Sequence, residues 1–155
     1  MKRLFYLLAL LPVMFVSCSD DDDDFPEVRI TFETSGAVIV DGTAYVVQGD
    51  TLSVDSIGVV PVNSGKRIVI GAASYYWDYM PIGTNVLKPY NIAVVMDNVP
   101  LGRHLLQIEC SLLAVDYAPV TAYFAYPVVV VSSADEIPPG GTEAPDAVTP
   151  KIRYK

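Results

Sequence analysis

Apolar and polar positions alternate with a period of two through much of the chain between Phe25 and Ser133. Val28, Ile30 and Phe32 interleave with Arg29, Thr31 and Glu33, the pattern of a half-buried first strand. Ala37–Val40 and Thr43–Val47 flank Asp41-Gly42, which predicts a hairpin closed by a two-residue turn. Gly49-Asp50 opens another strand through Leu52 and Val54, and Asn63-Ser64-Gly65 marks a loop. Arg67 to Tyr79 is the longest strand candidate, and Met80-Pro81-Ile82-Gly83 is expected to turn the chain. Tyr90 to Met96 forms a strand ended by Asp97-Asn98. Arg103 to Leu113 and Val120 to Val131 supply the last two. Seven or eight short strands at this spacing predict an all-β protein, an immunoglobulin-like antiparallel β-sandwich, with a small barrel as the alternative.

Composition supports strands over helices. Between Phe25 and Ser133 there are 20 Val, 8 Ile and 6 Thr against nine Leu plus Met, and branched side chains lose little freedom on a pleated surface. The same stretch holds seven Pro and eight Gly, so no apolar-periodic window long enough for a helix survives between breakers.

The two ends read differently. Lys2 and Arg3 precede an apolar stretch from Leu4 to Val16, interrupted only by Pro12, which makes residues 1–17 a signal peptide. The stretch is too short for a bilayer span, which needs about 20 apolar residues. Phe15-Val16-Ser17-Cys18 resembles the bacterial lipobox, with Phe15 where an aliphatic residue is usual. The resemblance implies lipidation of Cys18, palmitate among its acyl chains, and a mature chain that starts there; ordinary cleavage leaving a free thiol is the alternative. Asp20, Asp21, Asp22, Asp23 and Asp24 follow, a run of carboxylates that repel one another and bury nothing. Residues 18–24 are therefore a solvated tether. The run also resembles the export signal of Bacteroidota surface lipoproteins, which implies an outer-membrane, lipid-anchored and cell-surface-exposed protein. Calcium binding is a weaker option, because adjacent aspartates lack the alternating spacing of a calcium loop. Residues 134–155, with Pro138-Pro139-Gly140-Gly141, Pro145 and Pro150 and few apolar side chains, are expected to be a disordered tail.

Within the predicted sandwich, residues 25–133, a second resemblance is carried by three motifs. Tyr75-Tyr76-Trp77-Asp78, Lys88-Pro89-Tyr90 and Gly102-Arg103-His104-Leu105-Leu106 are similar to the repeated pattern of bacterial Ig-like domains. That resemblance implies the fold and no common activity.

Charge and chemistry narrow the function. The formal net charge is −8, and removing Lys2 and Arg3 leaves 18 acids against 8 bases, or −10. That argues against nucleic acid as a partner, since phosphates need a basic face. With one His and two Cys, the chain offers no nucleophile–base pair, phosphate loop or metal cluster, so neither catalysis nor a cofactor is expected. Cys110 shares a strand face with His104, Leu106, Ile108 and Leu112 and reads as a core thiol. His104 reads as a residue that hydrogen-bonds a turn. Trp77 is expected to be the core plug of the sandwich, with Tyr75 and Tyr79 on its face. Tyr76 and Asp78 lie on the other face and, with Tyr90 and Tyr117, are the candidate ligand-binding patch for a glycan or a surface protein. The bland alternative is that tyrosine simply suits strands. Val120 to Val131 is apolar on both faces, and Pro127 points to a sheet edge, which keeps open a structural or capping role in a fimbria-like assembly that exchanges strands.

Overall fold

The computed structural model describes residues 25–62, 64–141 and 151–153. Cys18 and Asp20 to Asp24 lie outside the described residues. Among the described residues are ten strands: β1 (Val28–Ser35), β2 (Val38–Val40), β3 (Thr43–Val47), β4 (Thr51–Pro61), β5 (Ile68–Trp77), β6 (Met80–Asn85), β7 (Ile92–Val95), β8 (Gly102–Ala114), β9 (Val120–Val131) and β10 (Lys151–Arg153). They form a small sheet ordered β1-β4-β7 and a large sheet ordered β2-β3-β9-β8-β5-β6, with β10 added against β9. The chain crosses between sheets after β1, β3, β4, β6 and β7, so pairs such as β3–β9 and β5–β8 join strands distant in sequence. This is an immunoglobulin-like β-sandwich, with inward residues of both sheets forming one core.

Local chemistry explains where the chain bends. Asp41 (φ 47°) and Gly42 (φ 75°) both take the left-handed conformation of a type I′ turn, whose twist matches the β2–β3 hairpin. A second turn of this kind uses Asp78 (φ 49°) and Tyr79 (φ 69°), without glycine. It places the bend two residues before the expected Met80–Gly83 turn, and those four residues begin β6 instead. The Asp78 side chain offsets the cost of the conformation, as described below.

Two bulges keep the apolar pattern in phase with the core. On β4 the register skips Asp55, so buried Leu52 and Val54 are followed by buried Ile57. On β5 it skips Gly71, so Ile68 and Ile70 give way to Ala73 and Tyr75 as the inward set. A Cβ at Gly71 would stand 2.9 Å from Leu113 Cδ1, a close approach that glycine permits.

Two short elements lie among the described residues of the 134–155 segment. Residues 134–136 form a single 3₁₀ turn, held where Ser132 Oγ donates to Glu136 at 2.6 Å. Lys151–Arg153 then pairs with Thr121–Tyr123 of β9. Nor is β9 a sheet edge. It lies between β8 on one side and β3 with β10 on the other, and Pro127 falls in the interval that neither β3 nor β10 pairs. Proline needs no partner there, because it has no N–H to offer.

Candidate functional site

The four residues singled out from sequence do not converge. Tyr90 is only 4% exposed and belongs to the core. Its hydroxyl donates to the Ile70 carbonyl at 2.6 Å, and its own carbonyl accepts from the Tyr75 hydroxyl. A phenol satisfied in this way can be buried without penalty, and a run of sequence does not show whether the partner carbonyl exists. Tyr117 packs edge-on against Phe25 at 5.9 Å, with Lys66 Nζ 5.4 Å from its ring centre. That places it beside the start of β5, whereas Asp78 follows the end of β5, about 30 Å away for a strand of this length.

Asp78 is a fastening point rather than part of an open patch. Its backbone N–H donates to the Leu105 carbonyl at 2.9 Å, and its Oδ1 accepts from the Leu105 N–H at 2.8 Å. Its Oδ2 lies 2.7 Å from Nδ1 of His104, whose Nε2 is 2.8 Å from the Pro100 carbonyl. Both neighbours of the imidazole are acceptors, so both ring nitrogens can donate only when the ring is protonated. Burial works against that charge, but the hydrogen bonds to Asp78 and Pro100 and the Asp78 charge prevail and raise the His104 pKa. Trp77 stacks on His104 at 5.3 Å and is only partly buried. The fully buried place expected for Trp77 is taken by Tyr75, at 0% exposure.

Cys110 is also fully buried, and burial alone pushes its thiol up to about 12. It is unreactive at neutral pH, as the strand pattern suggested.

The outward face of the large sheet brings together a different set. In register, Tyr76 of β5 lies opposite Gln107 of β8, and Glu109 of β8 lies between Ser74 of β5 and Tyr123 of β9. Two tyrosines therefore flank one carboxylate. The Tyr76 hydroxyl donates to Glu109 Oε2 at 3.3 Å, and the Glu109 charge, followed by burial, raises the Tyr76 pKa. Hydroxyls continue the surface, with Ser74 and Thr84 3.0 Å apart and Ser111 opposite Thr121. Tyr76, Glu109 and Tyr123 are all partly exposed. Glu109 and Tyr123 escaped the sequence reading, because only the pairing of β8 with β5 and β9 shows that they meet Tyr76. The available signal was parity: Glu109 alternates with buried Ile108 and Cys110, and Tyr123 with Ala122 and Phe124.

This face presents two aromatic rings, a carboxylate and several hydroxyl or amide groups. Such a surface stacks flat partners and exchanges hydrogen bonds with them. Among the described residues, no three His, Cys, Asp or Glu side chains are grouped so as to hold a metal ion. A cleft of about 460 Å³ lies elsewhere, between the Thr34–Val38 crossing and the turn at Ala134–Ile137, with Tyr45 and Asp50 on its wall.

No family model matches the chain, and no curated protein matches it. Among solved structures it is similar to the fibronectin(III)-like modules of CbhA from Clostridium thermocellum, at 16% identity and a TM-score of 0.40, over 65% of this chain and 98% of that one.

Proposed function

We propose that the protein is a lipid-anchored cell-surface module that binds a glycan chain across the outer face of its large sheet and carries out no catalysis. The observation that carries this reading is the placement of Tyr76 and Tyr123 on either side of Glu109. Their strands are two spacings apart, about 10 Å, so two separate rings can be engaged by one extended ligand. The apolar faces of sugar rings stack on phenol rings, and sugar hydroxyls donate to a carboxylate. Gln107 and Ser111, beside Glu109 on β8, add polar contacts that favour a hydroxyl-rich partner over an apolar one. A glycan array probed with the full chain tests the reading. Binding that disappears in Glu109→Ala supports it, and silence across neutral and acidic glycans removes it.

Anchoring rests on Cys18 and the adjacent Asp20, Asp21, Asp22, Asp23 and Asp24. Two or more acyl chains hold firmly where one alone is marginal. Cys18→Ala should abolish incorporation of labelled palmitate and release the protein from the membrane. Replacing the five aspartates with Ala should move it from a protease-accessible to a protected location.

A second reading, a structural subunit of a surface assembly, is favoured by one observation. The edge from Tyr79 to Met96 carries Lys88 as its sole charged residue, and Tyr79, Met80, Val86 and Leu87 are exposed on it. Higher-order species in gel filtration that vanish in Leu87→Asp would favour this role over glycan binding.

A further inference from the structure

The outer face of the large sheet continues past Glu109 along β9. Strand parity carries it from Tyr123 through Ala125 and Pro127 to Val129, and Val129 lies opposite both Arg103 of β8 and Tyr45 of β3. Six residue steps of β9 separate Tyr123 from Val129, about 20 Å. Ala125 and Pro127, between them, are exposed and small. At Tyr45 the face meets the cleft of about 460 Å³. That volume lies within the range of ligand pockets, roughly 300–1,000 Å³. Tyr45 and Val47 alternate with buried Ala44 and Val46, and Val38 stands opposite Tyr45, so all three line the cleft from the outer face. Thr34, Ser35 and Asp50 complete its polar lining.

Both walls are held in place. Gly36 (φ 78°) brings the crossing from β1 to β2 so close to β4 that a Cβ there would collide with the Thr51 carbonyl. On the opposite wall, Glu136 accepts from the Ser132 N–H at 3.2 Å and from its Oγ at 2.6 Å. A cleft with fixed walls loses little freedom when a ligand enters.

We infer that this cleft receives one end of the glycan, and that the ligand is a neutral, extended oligosaccharide long enough to span about 20 Å of the sheet. The inference rests on the glycan reading and names its ligand class. Carboxylates stand at both ends of the path, Glu109 and Asp50, where they accept from sugar hydroxyls and repel acidic sugars. Tyr45 offers a ring to the terminal sugar, as Tyr76 and Tyr123 do to sugars farther along. Arg103, exposed and across β9 from Tyr45, donates to hydroxyls between the two ends. An apolar partner would leave these groups unpaired.

Oligomers of β-1,4-linked glucose, mannose and xylose, two and six units long, are the probes. Each is titrated calorimetrically into the full chain and into its Asp50→Ala, Tyr45→Ala and Tyr76→Ala/Tyr123→Ala variants. Asp50 is exposed, so its replacement leaves the fold intact even where Tyr45→Ala does not. In at least one series the six-unit oligomer should bind at least about tenfold more tightly than the two-unit one. Asp50→Ala should weaken the six-unit oligomer about tenfold, the loss of one hydrogen bond to a charged group, and Tyr45→Ala should act in the same direction. No advantage of length, or full affinity in both cleft variants, would overturn the inference; affinity still lost in the double variant would leave the glycan reading standing. No binding by any of these oligomers would overturn it as well, and an acidic glycan bound on the array would then preserve that reading alone.

Discussion

Tyr75 and Tyr76 are adjacent in sequence, share a strand, and do opposite work. Tyr75 points into the sandwich, is fully buried, and gives its hydroxyl to the Tyr90 carbonyl. Burial, followed by the neighbouring Cys110, raises its pKa far beyond the physiological range. Tyr76 points outward, keeps part of its ring in solvent, and meets Glu109. The difference is the parity of a β-strand, which sends successive side chains to opposite faces. A tyrosine-rich strand of this kind is thus not all core and not all surface. It is a core face and a solvent face, divided by a sheet.

The contrast can be broken by substitution. Tyr75→Ala should cost about 3–5 kcal/mol, the range for deleting a buried aromatic ring, and should leave the domain largely unfolded by urea titration. Tyr75→Phe keeps the ring and loses the hydroxyl, so about 1–2 kcal/mol is expected, with the Tyr90 carbonyl left without that donor. A variant as stable as the wild type would mean that the inner face is not locked in this way.

Asp78 stands between these extremes, at the tip where β5 turns into β6. Asp78→Ala removes acceptors from both His104 and the Leu105 N–H and should cost about 1–2 kcal/mol, the lower part of the range because the carboxylate is 45% exposed. The same cluster carries a pH dependence. The folded His104 pKa is raised, so its stabilising contribution is fully present below the unfolded value of about 6.5. It is lost as pH rises through the higher folded value. Melting temperatures across pH 5 to 9 should therefore fall more on the alkaline side in the wild type than in Asp78→Asn. A profile unchanged by that substitution would contradict the pairing. The smallest effect is expected on the outer face, where Tyr76→Ala should change stability by no more than about 0.5 kcal/mol. A large loss there would make Tyr76 a structural residue and erase the contrast with Tyr75.

What the sequence displayed was local. The Asp41-Gly42 turn needs two adjacent residues that tolerate positive φ, and the hairpin forms around it as expected. The alternation through Val28, Ile30 and Phe32 matches their burial, and β9 runs from Val120 to Val131 as the apolar run does. What the sequence concealed depends on distant segments. Tyr90 is buried because the Ile70 carbonyl lies within reach, 20 residues away. Glu109 acquires its two tyrosines only through strand register. The bend at Asp78-Tyr79 lacks glycine and proline, and the carboxylate that supports it reaches Leu105, 27 residues on. Lys151–Arg153 finds a place on β9 although it follows a proline-rich stretch, because the β9 edge beyond β3 offers free backbone groups at Thr121–Tyr123.

The central proposal is that the outer face of the large sheet binds a glycan. Calorimetric titration of a glycan found on the array compares the wild type, Tyr76→Ala/Tyr123→Ala and Tyr117→Ala, the last being a tyrosine at the far end of the sandwich. The account predicts at least about a tenfold loss of affinity in the double variant, with an unchanged melting temperature and no loss in Tyr117→Ala. Equal affinity in all three proteins would contradict it.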